Sequence, residues 1–168
     1  IDPDTLDNVA VGDVGEIWLR SAMVTAGYWH KPEATAESIR PGGWLRTGDA
    51  AYQDSDGYIY LFDRFKDMIV SGGENVYPAE VENVLGDHPA VAEVGVIGIP
   101  HQKWGETVRA VVVLRTGQAA SEAELIAFAR TRLAKYKCPT SSGFADVLPR
   151  NASGKLLKKE LQIGRAHV

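Results

Sequence analysis

The sequence of 168 residues predicts an α+β protein in two parts: a small β subdomain, then a compact α+β domain with a mixed sheet and flanking helices. Two observations predict this fold class. Strand-like runs separated by turn residues fill residues 11–62, whereas strand and helix patterns alternate from Asp67 onward. Elements of both kinds pack in two layers around one core. We therefore predict a domain boundary near Lys66.

The β subdomain is predicted to hold four strands and one short helix. Pro32 favours a helix start over 32–38, because its missing N–H would be unpaired in the first turn anyway. The turn residues Asp54-Ser55-Asp56-Gly57 predict a hairpin between the last two strands. The predicted strands are 14–20, 44–46, 50–53 and 58–62.

Three strands and two helices are predicted in the compact domain. The first helix starts at Pro78 and ends at residue 86, and apolar residues recur along it at helical spacing: Val81, Val84 and Leu85. Val108–Leu114 is a nearly continuous apolar run, which is typical of a strand covered on both faces. The predicted strands are 68–70, 91–99 and 107–114.

The second helix is predicted over 122–135. Ser121 and Glu124 form a capping-box pattern at its start. A stripe of apolar residues follows at helical spacing and is predicted to be buried: Leu125, Phe128, Ala129 and Leu133.

Composition and charge argue against several classes of protein. A net charge of −4 and a pI near 5.6 disfavour nucleic-acid binding, which needs basic patches. The single cysteine, Cys138, excludes an internal disulfide, and no apolar run reaches the ~18 residues of a membrane span. We therefore expect a cytoplasmic protein. The four histidines and Cys138 have no metal-ligand spacing, so no protein-bound metal is expected.

Four motifs carry a resemblance to one family. In chain order they are Gly27-Tyr28-Trp29, Thr47-Gly48-Asp49, the segment from Asp63 to Glu82, and Pro149-Arg150-Asn151-Ala152-Ser153-Gly154-Lys155. Together they resemble the acyl-CoA synthetases, AMP-forming members of the adenylate-forming enzymes, and among them the fatty-acid–CoA ligases. The resemblance implies a ligase that converts a carboxylic acid to an acyl-adenylate with ATP, then to acyl-CoA with CoA. It also implies Mg²⁺ with the ATP, held by a ligand outside this sequence.

The resemblance also implies how the chain is divided. Acyl-CoA synthetases are several times longer, so we expect a C-terminal piece that needs its missing N-terminal domain as a partner and is inactive alone. Residues 1–65 would end that domain, and residues 66–162 would form a mobile C-terminal domain. The last residues break the preceding helical leucine pattern, so residues 163–168 are expected to be a non-native tail. A frayed natural C-terminus is the alternative.

Asp49 and Arg64 are the expected nucleotide-binding residues. In the family, the aspartate of the Thr-Gly-Asp motif binds the ribose, and a carboxylate can accept hydrogen bonds from both ribose hydroxyls. A turn with a capping aspartate is the alternative for Asp49. Arg64 is similar to the arginine that contacts the ribose and a nearby phosphate. Its alternative is a surface arginine paired with Asp63 or Asp67.

Three further places in the chain are connected by the resemblance with the second half-reaction. Gly72 and Gly73 would let the backbone approach the thin CoA channel, although a tight turn alone also explains them. Trp104-Gly105-Glu106 fits a family loop, or is a packed tryptophan beside a surface glutamate. Lys137 is a weaker candidate for contact with a CoA phosphate.

Lys66 occupies the family's hinge position, where its φ and ψ would absorb a rotation of the C-terminal domain between the half-reactions. The alternative is a solvated loop lysine. Lys155 is the expected catalytic residue: its ammonium would lie between the substrate carboxylate and the α-phosphate. The motif is not a phosphate-binding Walker loop, since Pro149 stands where that loop needs its first glycine. A solvated lysine is the alternative here too.

Two other functions remain open at this point. Another adenylate-forming enzyme, such as a peptide-synthetase adenylation domain or a luciferase-like oxygenase, would share Asp49 and Lys155 but use a different acceptor. A binding module without chemistry is the second alternative, although it would have no use for Asp49, Arg64 and Lys155 together.

Overall fold

The computed structural model describes residues 1–163 and divides the chain into two compact units, Ile1–Lys66 and Asp67–Val168. Both units contain sheets with flanking helices, so the predicted α+β class is confirmed. The expected non-native tail lies outside the described residues, except for Ile163. No helix among the described residues is long and apolar enough to span a membrane.

The first unit is a four-stranded antiparallel sheet around one long strand. Strand β3 pairs with β1 along one edge, and with β2 and then β4 along the other. The predicted helix at 32–38 and the hairpin across residues 54–58 are both present. The elements are β1 (Gly15–Leu19), α1 (Pro32–Ser38), β2 (Ile39–Arg40), β3 (Trp44–Gln53) and β4 (Ile59–Arg64).

The prediction of two separate strands at 44–46 and 50–53 is wrong. They form the single strand β3, because Thr47 keeps both halves in one ladder. Its hydroxyl donates to the carbonyl of Ile17 at 2.8 Å and accepts from the N–H of Asp49 at 3.0 Å. A bulge, not a break, therefore separates the two predicted strands.

The second unit is a five-stranded mixed sheet. Strand β8 pairs antiparallel with β7 on one side, and on the other with β5 antiparallel and β9 parallel. Its elements are β5 (Ile69–Ser71), β6 (Glu74–Val76), α2 (Pro78–Gly86), β7 (Val91–His101), β8 (Gly105–Leu114), α3 (Glu122–Arg130), β9 (Ser141–Phe144) and α4 (Lys158–Ile163).

The core of the second unit lies between α2, α3 and one face of the sheet. It includes Val81 and Leu85 of α2, and Leu125 and Ala129 of α3. Full burial on both faces, predicted for Val108–Leu114, occurs instead in β7. There, residues 95–99 are buried, and the leucines of the C-terminal segment pack on Gly95. From Val108 to Leu114 in β8, only alternate residues are buried.

Helix α3 begins as predicted but ends early. The capping box at Ser121 and Glu124 is formed. The helix ends at Arg130 instead of 135, because the last turn tightens: Thr131 N–H bonds to Phe128 O and Arg132 N–H to Ala129 O, each three residues back. The Thr131 hydroxyl also donates to Phe128 O at 2.8 Å.

Candidate functional site

The Thr47-Gly48-Asp49 motif forms a bulge in the middle of β3. Glu16 pairs with Ala50 and Trp18 with Arg46, so the three motif residues lie opposite the single residue Ile17. Gly48 has φ +73°, a left-handed backbone conformation that residues with a Cβ disfavour. The bulge therefore takes Asp49 out of the ladder with β1, while Asp49 stays paired with Arg64 of β4.

Asp49 and Arg64 are cross-strand partners in β3 and β4. The Nε of Arg64 lies 3.0 Å from Oδ1 of Asp49. Its N–H is not aligned for a hydrogen bond to that oxygen, so the contact is ionic. A terminal nitrogen of Arg64 donates to the carbonyl of Thr47 at 3.3 Å. The structure thus brings the two predicted nucleotide ligands together, with both side chains partly exposed.

Glu16 completes this site and was missed by the sequence analysis. It is only 4% exposed, and its oxygens accept hydrogen bonds from Arg46, from the indole of Trp18, and from Gly48 N–H at 3.0 Å. Burial alone would raise the pKa of Glu16, but these hydrogen bonds and the Arg46 charge together lower it below its ordinary value. Strand alternation, which places Glu16 and Trp18 on one face, was the signal available in the sequence.

Gly72 and Gly73 are the two central residues of the β5–β6 hairpin. Ser71 pairs with Glu74, and the glycines have φ +63° and +87°, as a type I′ turn requires. Gly72 N–H donates to the carbonyl of Trp104 at 2.9 Å. A Cβ on Gly72 would lie 2.8 Å from the indole of Trp104, whereas one on Gly73 would meet nothing within 4 Å.

The loop before β8 therefore supports the glycine hairpin. Trp104 is half exposed and packs over Gly72. Glu106 is not a simple surface glutamate, because its carboxylate accepts the N–H of Val70 at 3.1 Å. In Trp104-Gly105-Glu106, the tryptophan is therefore packed, and the glutamate links β8 to β5 by a hydrogen bond.

Lys155 closes a tightly bonded loop. The side-chain oxygen of Asn151 accepts from Ser153 N–H, the Ser153 hydroxyl and Lys155 N–H, the last at 2.8 Å. Arg150 donates to Gly154 O at 2.7 Å and to the carboxylate of Glu93 at 2.6 Å. The Lys155 residue itself is exposed, and its ammonium has no partner among the described residues. The loop holds the lysine backbone in place and leaves the charge available.

The two remaining predicted residues differ in their surroundings. The Nζ of Lys137 lies 2.8 and 2.7 Å from the two carboxylate oxygens of Glu80, so its charge is already paired. Lys66 is exposed, in a short 3-10 turn at Phe65–Asp67, and the boundary between the two compact units falls directly after it.

Strand β7 separates the Lys155 loop from the glycine hairpin. The loop is tied to Glu93 near the start of β7, whereas the hairpin adjoins the turn that follows His101 at its end. At about 3.3 Å per residue, these points of the strand are roughly 26 Å apart. The second unit therefore presents the two predicted reaction elements at opposite ends of one strand.

Comparison with known proteins identifies the class to which this chain belongs. Residues 80–155 match the AMP-binding enzyme C-terminal domain family. It is 55% identical over 150 residues to the 2-succinylbenzoate–CoA ligase of Geobacillus kaustophilus (strain HTA426), a match covering 89% of this chain and 30% of the ligase. The predicted resemblance to AMP-forming acyl-CoA synthetases is thereby confirmed.

A second curated relative and two solved structures extend the match. The chain is 48% identical over 148 residues to a long-chain-fatty-acid–CoA ligase of Mycobacterium tuberculosis, covering 88% of this chain and 29% of the ligase. It spans about 30% of the length of the curated relatives it matches. ATP-bound MatB from Rhodopseudomonas palustris matches with a TM-score of 0.92 and 39% identity, over 99% of this chain and 33% of that one. The amide bond synthetase McbA from Marinactinospora thermotolerans matches with a TM-score of 0.89 and 38% identity, over 98% of this chain and 34% of that one.

Proposed function

We propose that this chain acts as the C-terminal part of an AMP-forming acyl-CoA ligase. In the first half-reaction, a carboxylate oxygen attacks the α-phosphorus of ATP and diphosphate leaves. In the second, the CoA sulfur loses its proton and attacks the acyl carbon, and AMP leaves. The observation that supports this most is the position of the Lys155 loop and the Gly72-Gly73 hairpin at opposite ends of β7, as two half-reactions served by one domain would require.

Asp49 and Arg64 are the proposed nucleotide ligands. The Asp49 carboxylate would accept the ribose hydroxyls, and Arg64 would contact the ribose and the adjacent phosphate. Their cross-strand pairing supports this assignment, because each orients the other before the nucleotide binds.

Lys155 is the proposed catalytic residue of adenylation. Negative charge accumulates around the α-phosphorus while the carboxylate approaches, and a preorganised ammonium between them stabilises that transition state. The hydrogen bonds of Asn151 and Arg150 support the proposal, because they fix the loop while no described residue neutralises the lysine.

These assignments give each unit of the chain its own role in the reaction. Residues 1–65 would end the adenylation domain, and residues 66–162 would form a mobile domain that turns about Lys66. After the turn, Gly72 and Gly73 would line the channel for CoA. Lys137 would reach a CoA phosphate only by exchanging its bond to Glu80, so we assign it a secondary role.

The first unit supports a missing N-terminal domain as partner. Its only buried apolar side chains among the described residues are those of Ala50 and Ala51, whereas Tyr58, Ile59 and Leu61 are 68, 58 and 71% exposed. So little burial does not stabilise an independent domain. We infer that further chain of the same enzyme packs on this surface.

The substrates are a carboxylic acid, ATP and CoA. Relatives named for an aromatic acid and for long-chain fatty acids match this chain at similar identity, so these residues are not the ones that select the acid. Mg²⁺ would enter with the ATP phosphates, whose charge it neutralises. A cytoplasmic setting suits the free, buried thiol of Cys138.

The test uses the full-length enzyme and separates the half-reactions. Carboxylate-dependent AMP and diphosphate release report adenylation, and thioester formation from pre-formed acyl-adenylate reports the second step. We expect Lys155→Ala to slow adenylation by roughly 10²- to 10³-fold and to leave the second step largely intact. Lys159→Ala, an exposed lysine of α4, is the matched control and should change neither.

One alternative function is tested in the same experiment. McbA, an amide bond synthetase, shares this fold closely, so an amine could replace CoA as the acceptor. Supplying the enzyme with CoA and with primary amines in separate reactions distinguishes the two. Adenylate that forms readily but passes only to amines would overturn the CoA ligase assignment and leave the adenylation role intact.

A further inference from the structure

Glu16 is the one charged residue among the described residues that is buried. Transferring an ionised carboxylate out of water is costly unless it is fully hydrogen-bonded. The proposed chemistry does not use Glu16, yet it adjoins the motif that carries Asp49. A buried charge beside a nucleotide ligand therefore needs an explanation of its own.

The two oxygens of Glu16 have different partners. One oxygen accepts hydrogen bonds from Arg46 Nε at 2.9 Å and from the indole of Trp18 at 3.0 Å, and it also lies 2.8 Å from a terminal nitrogen of Arg46 in an ion pair. The other accepts from Gly48 N–H at 3.0 Å. One side of the carboxylate is thus anchored by two side chains, while the other holds the backbone of the bulge.

We propose that Glu16 is a positioning residue for nucleotide recognition: by holding Gly48, it sets where the Asp49 carboxylate meets the ribose. This inference rests on the proposed role of Asp49. Gly48 is the residue of the bulge with the greatest intrinsic backbone freedom, because it has no Cβ. The bond from Gly48 N–H to Glu16 and the bond from Asp49 N–H to the Thr47 hydroxyl fix the backbone that carries the Asp49 side chain.

A carboxylate is needed here, since an amide cannot replace it. Every group that reaches Glu16 is a hydrogen-bond donor, and glutamine offers one acceptor and one NH₂ group. With its oxygen toward Arg46 and Trp18, the glutamine would direct its NH₂ at Gly48 N–H. Glu16→Gln therefore breaks the contact with the bulge while altering the side-chain volume very little.

The test is ribose discrimination by the full-length enzyme. Adenylation kcat/KM is measured with ATP, 2′-deoxy-ATP and 3′-deoxy-ATP. Each deoxy-ATP lacks one hydroxyl that would bond the charged Asp49 carboxylate. We therefore expect the wild type to prefer ATP over either deoxy-ATP by roughly ten- to a hundred-fold in kcat/KM. We expect Glu16→Gln to reduce this preference several-fold, mainly through a higher KM for ATP. Trp18→Phe, which removes one donor but keeps the Gly48 contact, should retain the wild-type preference.

Three further variants decide between the possible outcomes. Asp49→Ala should erase the discrimination; if it does not, the proposed role of Asp49 fails. If Asp49→Ala erases it while a folded Glu16→Gln keeps the wild-type ratio, the inference about Glu16 is overturned. Should Glu16→Gln fail to fold, Thr47→Val against Thr47→Ser tests the same bulge, because only serine keeps the hydroxyl. An unchanged ratio in Thr47→Val would then refute the positioning role.

Discussion

Asn151 shows how one side chain can prepare a catalytic group that it does not touch. Its oxygen accepts three hydrogen bonds inside the loop, one of them from Lys155 N–H. The amide thus takes the place of regular secondary structure over Asn151–Lys155, a local use of an Asn side chain that is common in turns. The position of the Lys155 Cα follows from this network.

We expect Asn151→Ala to slow adenylation by about ten- to a hundred-fold, since a displacement near 1 Å can be that costly in a reacting geometry. Asn151→Asp keeps the accepting oxygen and should retain most of the activity. The measurement is carboxylate-dependent diphosphate release. If both variants behave alike, the oxygen of Asn151 does not position Lys155.

The lowered pKa of Glu16 predicts a definite dependence of stability on pH. The pKa of Glu16 is lower in the folded protein than in the unfolded chain. Its contribution to the free energy of unfolding is therefore complete above the ordinary glutamate pKa of about 4.3, and it is lost as the pH falls through the pKa of the folded state. The difference in unfolding midpoint between wild type and Glu16→Gln should therefore be largest near neutral pH and shrink in acid. A difference that stays constant from pH 7 to pH 3 would contradict this.

At the scale of single elements, the β5–β6 hairpin depends on two glycines for different reasons. Both have positive φ, but only Gly72 lies against the Trp104 indole. The turn geometry is local, whereas the close approach comes from a loop that is about thirty residues away in the sequence.

Alanine substitutions separate the two effects. Gly73→Ala should cost about 1–2 kcal/mol of the free energy of unfolding through its left-handed backbone. Gly72→Ala should cost more, because Trp104 must also move. Gly86→Ala is the control: it has no positive φ and open space, so it should be neutral or slightly stabilising. Urea unfolding of the second unit gives the values, and equal losses for Gly72→Ala and Gly73→Ala would exclude the Trp104 contact as a cause.

At the scale of the whole molecule, the boundary after Lys66 coincides with the proposed hinge. A residue that absorbs a domain rotation must change φ and ψ, and proline fixes φ near −65°. Lys66 is exposed and lies in a short 3-10 turn, so a substitution there leaves the cores of both units intact.

We expect Lys66→Pro in the full-length enzyme to affect the two half-reactions very unequally, by tenfold or more. Lys66→Ala removes the charge but leaves the backbone free, and should change both rates little. The two rates are measured separately, as adenylation and as thioester formation from acyl-adenylate. Equal losses in both would argue against a hinge at Lys66.

Local signals predicted much of this structure. Helix α2 was predicted with its observed bounds, because Pro78 and the apolar spacing after it act within a few residues. The capping box predicted where α3 begins. The motif Thr47-Gly48-Asp49 and the Lys155 loop were recognised as candidate site elements for the same reason, since their residue types are contiguous.

Only the tertiary structure decided the features that depend on distant residues. Strands β2, β6 and β9 were missed because two to four residues carry no readable period, and β9 exists through pairing with β8 more than thirty residues earlier. Glu16 reaches Gly48 across 32 positions, which no local pattern indicates. The sequence by itself determined the motifs of the site and the fold class, because both depend on patterns among residues that are close together in the chain. The bulge that orients Asp49, and the spacing of the Lys155 loop and glycine hairpin along β7, required the packed chain, since hydrogen bonds between distant strands set them.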